Sequence, residues 1–133
     1  LAEAQWSAAN GKIALLHSYA PDEAGNAFDM ASMMLTGDGQ STYSTSNAQS
    51  AGLETWYPEY NTAGQLGAAA GPYKQLTNGV YERVFAHGIV LVNATARPVS
   101  AFSLGGGSYS GVGLTNATSA TMNPKSALIL LGG

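Results

Sequence analysis

The sequence contains no cysteine. That excludes a disulfide framework and any thiolate metal site. Charge is scarce too: 10% of residues are Asp, Glu, Lys or Arg, against about 25% in an ordinary soluble domain. The few basic residues form no stripe or patch, which argues against nucleic acid as a partner. No apolar run reaches the ~18 residues needed to cross a bilayer, so no membrane span is expected. His17 and His87 lie too far apart in sequence to suggest a metal site, and no motif calls for a cofactor. No basic-then-apolar leader precedes Leu1. The simplest expectation is a chain processed, truncated or taken from inside a longer one.

Gly, Ala, Ser, Thr and Asn stand where charge is missing. A surface solubilised by neutral polar groups is common on extracellular proteins that touch sugars or pack into assemblies. An extracellular or secreted location is therefore expected. Net charge is -3 and the pI about 5.1. Two N-x-S/T sequons, at Asn93 and Asn116, are N-glycosylation candidates on a secreted chain. A length of 133 residues suits one domain, or a small domain with an appendage.

The chain changes style along its length. Residues 11–18 form a nearly continuous apolar run, which predicts a strand buried on both faces. Pro21, Asp22 and Glu23 then mark a helix start. Ala27, Met30, Ala31, Met34 and Leu35 recur at helical spacing, predicting an amphipathic helix over 24–35. Gly37 and Gly39 end it, and residues 40–46, from Gln40 to Ser46, predict another strand. Strand, helix and strand in this span make one βαβ unit. Residues 47–78 show no sustained period; Gly52, Pro58, Gly64, Gly67, Gly71 and Pro72 predict a long loop carrying an aromatic cluster. Residues 79–133 predict short antiparallel strands at 79–86, 89–93, 99–104, 118–122 and 126–131. His87-Gly88 is read as a hairpin turn with Gly supplying positive φ, and residues 123–126 as a second turn. The glycines at 105–107 break a strand; without a following helix or Lys-Ser/Thr pair they are no phosphate loop. The fold class is α+β: a short strand-helix-strand unit (1–46), an aromatic connector (47–78) and a mainly antiparallel β-sandwich (79–133).

Residues 80–93 run as Arg83, Phe85, a small or polar pair with Gly88, an apolar strand, then Asn93. This resembles the passage from barrel to terminal β-sandwich in glycoside-hydrolase-like proteins of the (β/α)8-barrel type. Residues 56–60, Leu66-Gly67 and residues 123–131 resemble the connector and closing hairpin of such proteins. Ala94 departs from the pattern, which often has Pro there. The resemblance implies that residues 11–46 are the seventh strand, its helix and the eighth strand of a barrel. A whole barrel needs about 250 residues, so the rest would lie in a parent chain. The first segment should then expose an apolar face unless a partner covers it.

Glycosidic hydrolysis uses two carboxylates roughly 5–9.5 Å apart. Asp22, Glu23, Asp29 and Asp38 border the helix, Glu54 and Glu59 lie in the connector, Glu82 in a strand and Glu3 near the start. None is paired by pattern at an apolar strand end, so no catalytic residue is assigned and the chain is not expected to cut bonds alone. Sugar rings stack on aromatic faces while their hydroxyls bond to polar groups. Trp56, Tyr57, Glu59 and Tyr60 are therefore carbohydrate-binding candidates, with His17 at a strand end as a further one, a core histidine satisfied by backbone being its competing reading. A buried aromatic plug is the competing reading for the connector. Arg83 is expected to play a structural part, pairing with Glu82's neighbours or bonding a buried backbone carbonyl where the segments join. The Met30, Met33 and Met34 group reads as core filler. The expected role is a non-catalytic carboxy-terminal region of a secreted carbohydrate-active protein. Its partners would be carbohydrate or the rest of a longer parent chain. The alternatives are an extracellular self-assembling subunit, homo-oligomeric or filamentous, and a free carbohydrate-binding module.

Overall fold

The computed structural model describes residues 2–20, 22–37, 41–45 and 55–133. Pro21, Asp38, Gly39, Gln40, Ser46, Gly52 and Glu54, on which parts of the sequence reading rest, lie outside the described residues.

The first described element is a helix, α1 (Ala2–Ala9), which buries only Ala4. Its alanines favour helix intrinsically, but with no apolar stripe it gives no periodic signal. Next come β1 (Leu15–Ser18), α2 (Glu23–Thr36) and β2 (Thr42–Thr45). β1 and β2 pair in parallel, from Leu15 opposite Thr42 to Ser18 opposite Thr45. The expected βαβ unit is present. Asp22 caps α2 by accepting a hydrogen bond from the Gly25 amide at 2.8 Å, which satisfies one orphan donor of the first turn. Ala27, Met30, Ala31 and Leu35 are buried along the predicted stripe.

β1 departs from expectation. Leu16 and Ser18 turn toward α2, but Leu15 is 79% exposed and Ile13, just before the strand, 60%. No described element covers that face. The connector also departs from its reading as a loop, because it holds a helix, α3 (Pro58–Gln65). Pro58 occupies the first helical position, where its fixed φ helps and its missing N–H costs nothing. The residue α3 buries is a carboxylate, Glu59, so no apolar stripe announced the helix.

The remainder is antiparallel: β3 (Lys74–Gln75), β4 (Tyr81–Phe85), β5 (Gly88–Asn93), β6 (Val99–Ser103), β7 (Tyr109–Gly111), β8 (Leu114–Ala117), β9 (Ser119–Met122) and β10 (Ser126–Gly132). Six of these form one sheet in the order β3-β4-β5-β10-β7-β8, and β6 pairs with β9 in a second. β5 lies between β4 and β10, and every one of its residues is buried. Its alternation explains why. Val90 and Val92 join Met30, Ala31, Leu35, Leu66 and Ile129 on the helix side. Ile89 and Leu91 join Leu104, Ala120, Met122 and Leu130, with residues of β6 and β9, on the other. The result is an α+β fold whose β part is sandwich-like. The helix-side core draws on all three sequence segments: Met30 and Leu35, then Leu66, then Val90 and Ile129.

The turn before β5 corrects one detail. Gly88 is not a positive-φ turn residue but the first residue of β5. A Cβ there would meet the Leu130 carbonyl oxygen at 2.0 Å and Leu66 Cδ2 at 2.6 Å. Glycine is needed for the close approach of β10 and the residue ending α3, not for turn geometry.

Candidate functional site

Two clefts flank the βαβ unit, and one polar chain of side chains runs between them. It starts at the end of β1, where the Ser18 hydroxyl donates to the Asp29 carboxylate of α2. It passes to Tyr43 on β2, whose hydroxyl donates to Asn26 Oδ1 at 3.0 Å. It ends at Tyr60 on α3, whose hydroxyl reaches the same oxygen at 3.0 Å. Asn26 is fully buried. It sits one turn before Met30, so an amide occupies the otherwise apolar face of α2 and there ties α2 to β2 and α3. Burial raises the Tyr43 phenol, partly offset by its hydrogen bonds to Ser18 and Thr45.

The first cleft, about 410 Å³, runs along β1 between α1 and α2. His17, Ser18, Tyr19, Glu3 and Asp29 line it. His17 Nδ1 lies 2.8 Å from Ser44 Oγ and its ring meets Tyr19 edge-on at 4.8 Å. The second cleft, about 480 Å³, lies between α2, β2 and the start of α3. Trp56, Tyr60 and Tyr43 give it aromatic walls, Met30, Met33 and Met34 a soft apolar floor, and Ser44, Thr45 and Thr55 hydroxyls. Trp56 is 70% exposed and meets Tyr60 edge-on at 5.2 Å. Aromatic faces beside hydroxyls suit a ligand with apolar and polar faces, such as a sugar ring.

The sequence candidates separate here. Trp56 and Tyr60 face this second cleft, while Tyr57 packs edge-on against Tyr60 at 6.0 Å and does not line it. Glu59 is 8% exposed, with burial pushing its carboxyl up, its own backbone N–H pulling it down, and Glu23 raising it further. His17 lies in the other cleft. Of the methionines, Met30 is core, whereas Met33 lines cleft walls. Arg83 fulfils its expected role: Nε donates to the Gly71 carbonyl at 2.9 Å, and Nη1 to those of Met34 and Gly37 at 2.8 and 2.7 Å. Asn26, Tyr43, Ser18 and Asp29 were missed as a group. An asparagine on an apolar stripe was the one available signal.

The sequons differ as well. Asn93 has no accessible surface. Its amide nitrogen donates to the carbonyls of Arg97 and Asn123 at 2.8 and 2.9 Å, and its oxygen accepts from Thr95 N and Oγ1. A glycan on that nitrogen is incompatible with this packing. Asn116 is exposed at the end of β8. Among the described residues, no group of three or more His, Cys, Asp or Glu side chains could hold a metal ion.

No curated protein and no solved structure matches the chain. A family model described as hypothetical glycosyl hydrolase family 15 matches residues 2–89. That span runs from α1 through the βαβ unit, both clefts, α3 and β4 into β5, well over half of the molecule, and the chain belongs to this glycoside-hydrolase-like family.

Proposed function

We propose that the chain is a carboxy-terminal region of a secreted carbohydrate-active protein, in which β1, α2 and β2 complete a (β/α)8 barrel. The antiparallel layers would brace that closure and hold the Trp56 cleft against glycan. One observation carries the reading: β1 and β2 are parallel and joined through a helix, yet their second face, with Ile13 and Leu15, is bare. Parallel pairs of this kind are normally covered on both faces. In a barrel the bare face would turn inward among the side chains of other strands. The groove between α1 and the edge of β1 would take the preceding strand.

The test is amide exchange at residues 15–18, measured in this chain and in the longest natural form of the protein identified by intact mass. The barrel reading expects exchange at least tenfold slower in the longer form. Equal exchange in both, or a natural form no longer than this chain, overturns it. The same bare edge favours a second reading, strand addition by another copy. A sedimentation coefficient that rises with concentration, and stops rising after Leu15→Lys, would support that alternative.

A further inference from the structure

A third cleft, of about 430 Å³, lies between the end of α2, residues 67–69 and β4. Met33, Met34, Ala68, Ala69 and Phe85 give it neutral, apolar walls, and Arg83 is the one charged side chain among the described residues that line it. Arg83 and Phe85, two residues apart on β4, share the face turned toward α2, and the guanidinium carbon sits 5.7 Å from the Phe85 ring centroid. Ala69 bridges to Phe85. Its Cβ is therefore on the same face, diagonally across from Arg83.

A guanidinium has five N–H donors. Nε and Nη1 spend theirs on the carbonyls of Gly71, Met34 and Gly37. The two hydrogens of Nη2 have no acceptor among the described residues. Carbonyl oxygens solvate the charge but do not cancel it. The neighbouring acid, Glu82, faces the other side of β4 and is held by Lys74 at 3.0 Å, the one ion pair among the described residues. Burial makes the uncancelled charge costly and lowers the affinity of Arg83 for its proton. A half-buried cation with donors to spare and no counter-ion favours an anion.

We propose that the third cleft binds a carboxylate-bearing sugar, a hexuronate, with its carboxylate on Arg83 and its neutral body along Phe85, Ala68 and Ala69. One positive charge matches one carboxylate; a phosphate dianion would bring more charge than this cleft cancels. Apolar walls suit the C–H face of a sugar ring. The carboxylate follows from the charge alone. The sugar body rests on the reading of the chain as carbohydrate-active.

The experiment is a titration of the 133-residue chain at neutral pH and constant ionic strength, followed by the Arg83 Nε–H resonance and the amides of residues 67–69. The probes are glucuronate, glucose, acetate and inorganic phosphate. Glucuronate should shift these signals saturably and bind about tenfold or more tighter than glucose, the scale of a hydrogen bond to a charged group. It should also bind more tightly than acetate or phosphate. Ala69→Glu sets an internal carboxylate against Arg83 and should abolish the response, whereas Ala69→Gln, of the same size without the charge, should keep it. Both changes fall on an exposed residue, so they leave the fold intact. No saturable shift, or equal affinity for glucose, acetate or phosphate, overturns the proposal. So does an equal loss in Ala69→Gln, which would make the effect one of shape. Binding seen only in Asp38→Asn, next in sequence to Gly37, would show Arg83 paired within the chain and overturn it too. Glucuronate is read at Arg83 and polysaccharide at Trp56, so this site and the glycan reading of the second cleft fail separately.

Discussion

Arg83 on β4 donates to the carbonyl of Met34 at 2.8 Å, 49 residues back along the chain. With its bond to Gly37, it satisfies carbonyls that the end of α2 leaves without helical partners. Burial lowers its affinity for a proton, yet a guanidinium remains charged. One side chain thus locks α2 to the six-stranded sheet. Arg83→Met should cost about 2–4 kcal/mol in urea unfolding. Arg83→Lys should recover part of that, since an ammonium lacks the fork that reaches Gly71 and α2 together. A loss under ~0.5 kcal/mol in Arg83→Met would show that the sheet holds α2 by apolar packing alone.

Gly88 makes a sharper demand. A methyl group there would run into the Leu130 carbonyl, and backbone on a paired strand cannot step aside without breaking the β5–β10 register. Gly88→Ala should destabilise by about 3 kcal/mol or more, or leave the chain unfolded. Gly64, inside α3, is the control: a Cβ there meets nothing within 4 Å. Gly64→Ala should raise stability by about 0.5–1 kcal/mol. Thermal melts of the two variants should move in opposite directions.

The parts legible in the sequence were those where one periodicity operates. The stripe from Ala27 to Leu35 gave α2, and the run from Ile89 to Val92 gave β5, because each buries what its pattern says. The pattern failed at α1, which buries a single alanine, and at α3, which buries Glu59. It also failed at β7 and β8, which are too short to show alternation. The site was half legible for the same reason. Trp56 and Tyr60 announce themselves by type, but Asn26 matters through partners on β2 and α3 that are distant in sequence. Gly88 was noticed for the wrong reason, since strand crowding cannot be read from a glycine next to a turn.

The two sequons should part company in a secretory host. Asn116 is exposed, with φ of 47°, and Thr118 after it is exposed too. Asn93 spends its whole amide on pinning the end of β5 to the turn before β10. Peptide mapping should find glycan at Asn116, removed by Thr118→Ala, and none at Asn93 in folded material. Asn93→Ala should cost about 2–4 kcal/mol, because it strands buried carbonyls and a threonine hydroxyl. Glycan at Asn93 in folded, monodisperse protein would contradict the packing described here.

Trp56 offers the cleanest separation of binding from folding. It is mostly exposed, so Trp56→Ala removes little buried surface and should shift unfolding by no more than ~0.5 kcal/mol. If the second cleft takes a sugar ring, the same change removes its stacking wall, and loss of such a contact costs about 1–3 kcal/mol, a five- to hundredfold drop in affinity. Tyr60→Phe should behave in the opposite way. It keeps the ring in the cleft but takes a hydroxyl from Asn26, costing about 1–2 kcal/mol of stability with little change in affinity for what still folds. Affinity electrophoresis on a panel of soluble polysaccharides, run beside urea titrations, reads both quantities. Retention unchanged in Trp56→Ala would remove the cleft from the glycan reading and leave Tyr60, Tyr43 and Asn26 as the joint between α2, β2 and α3.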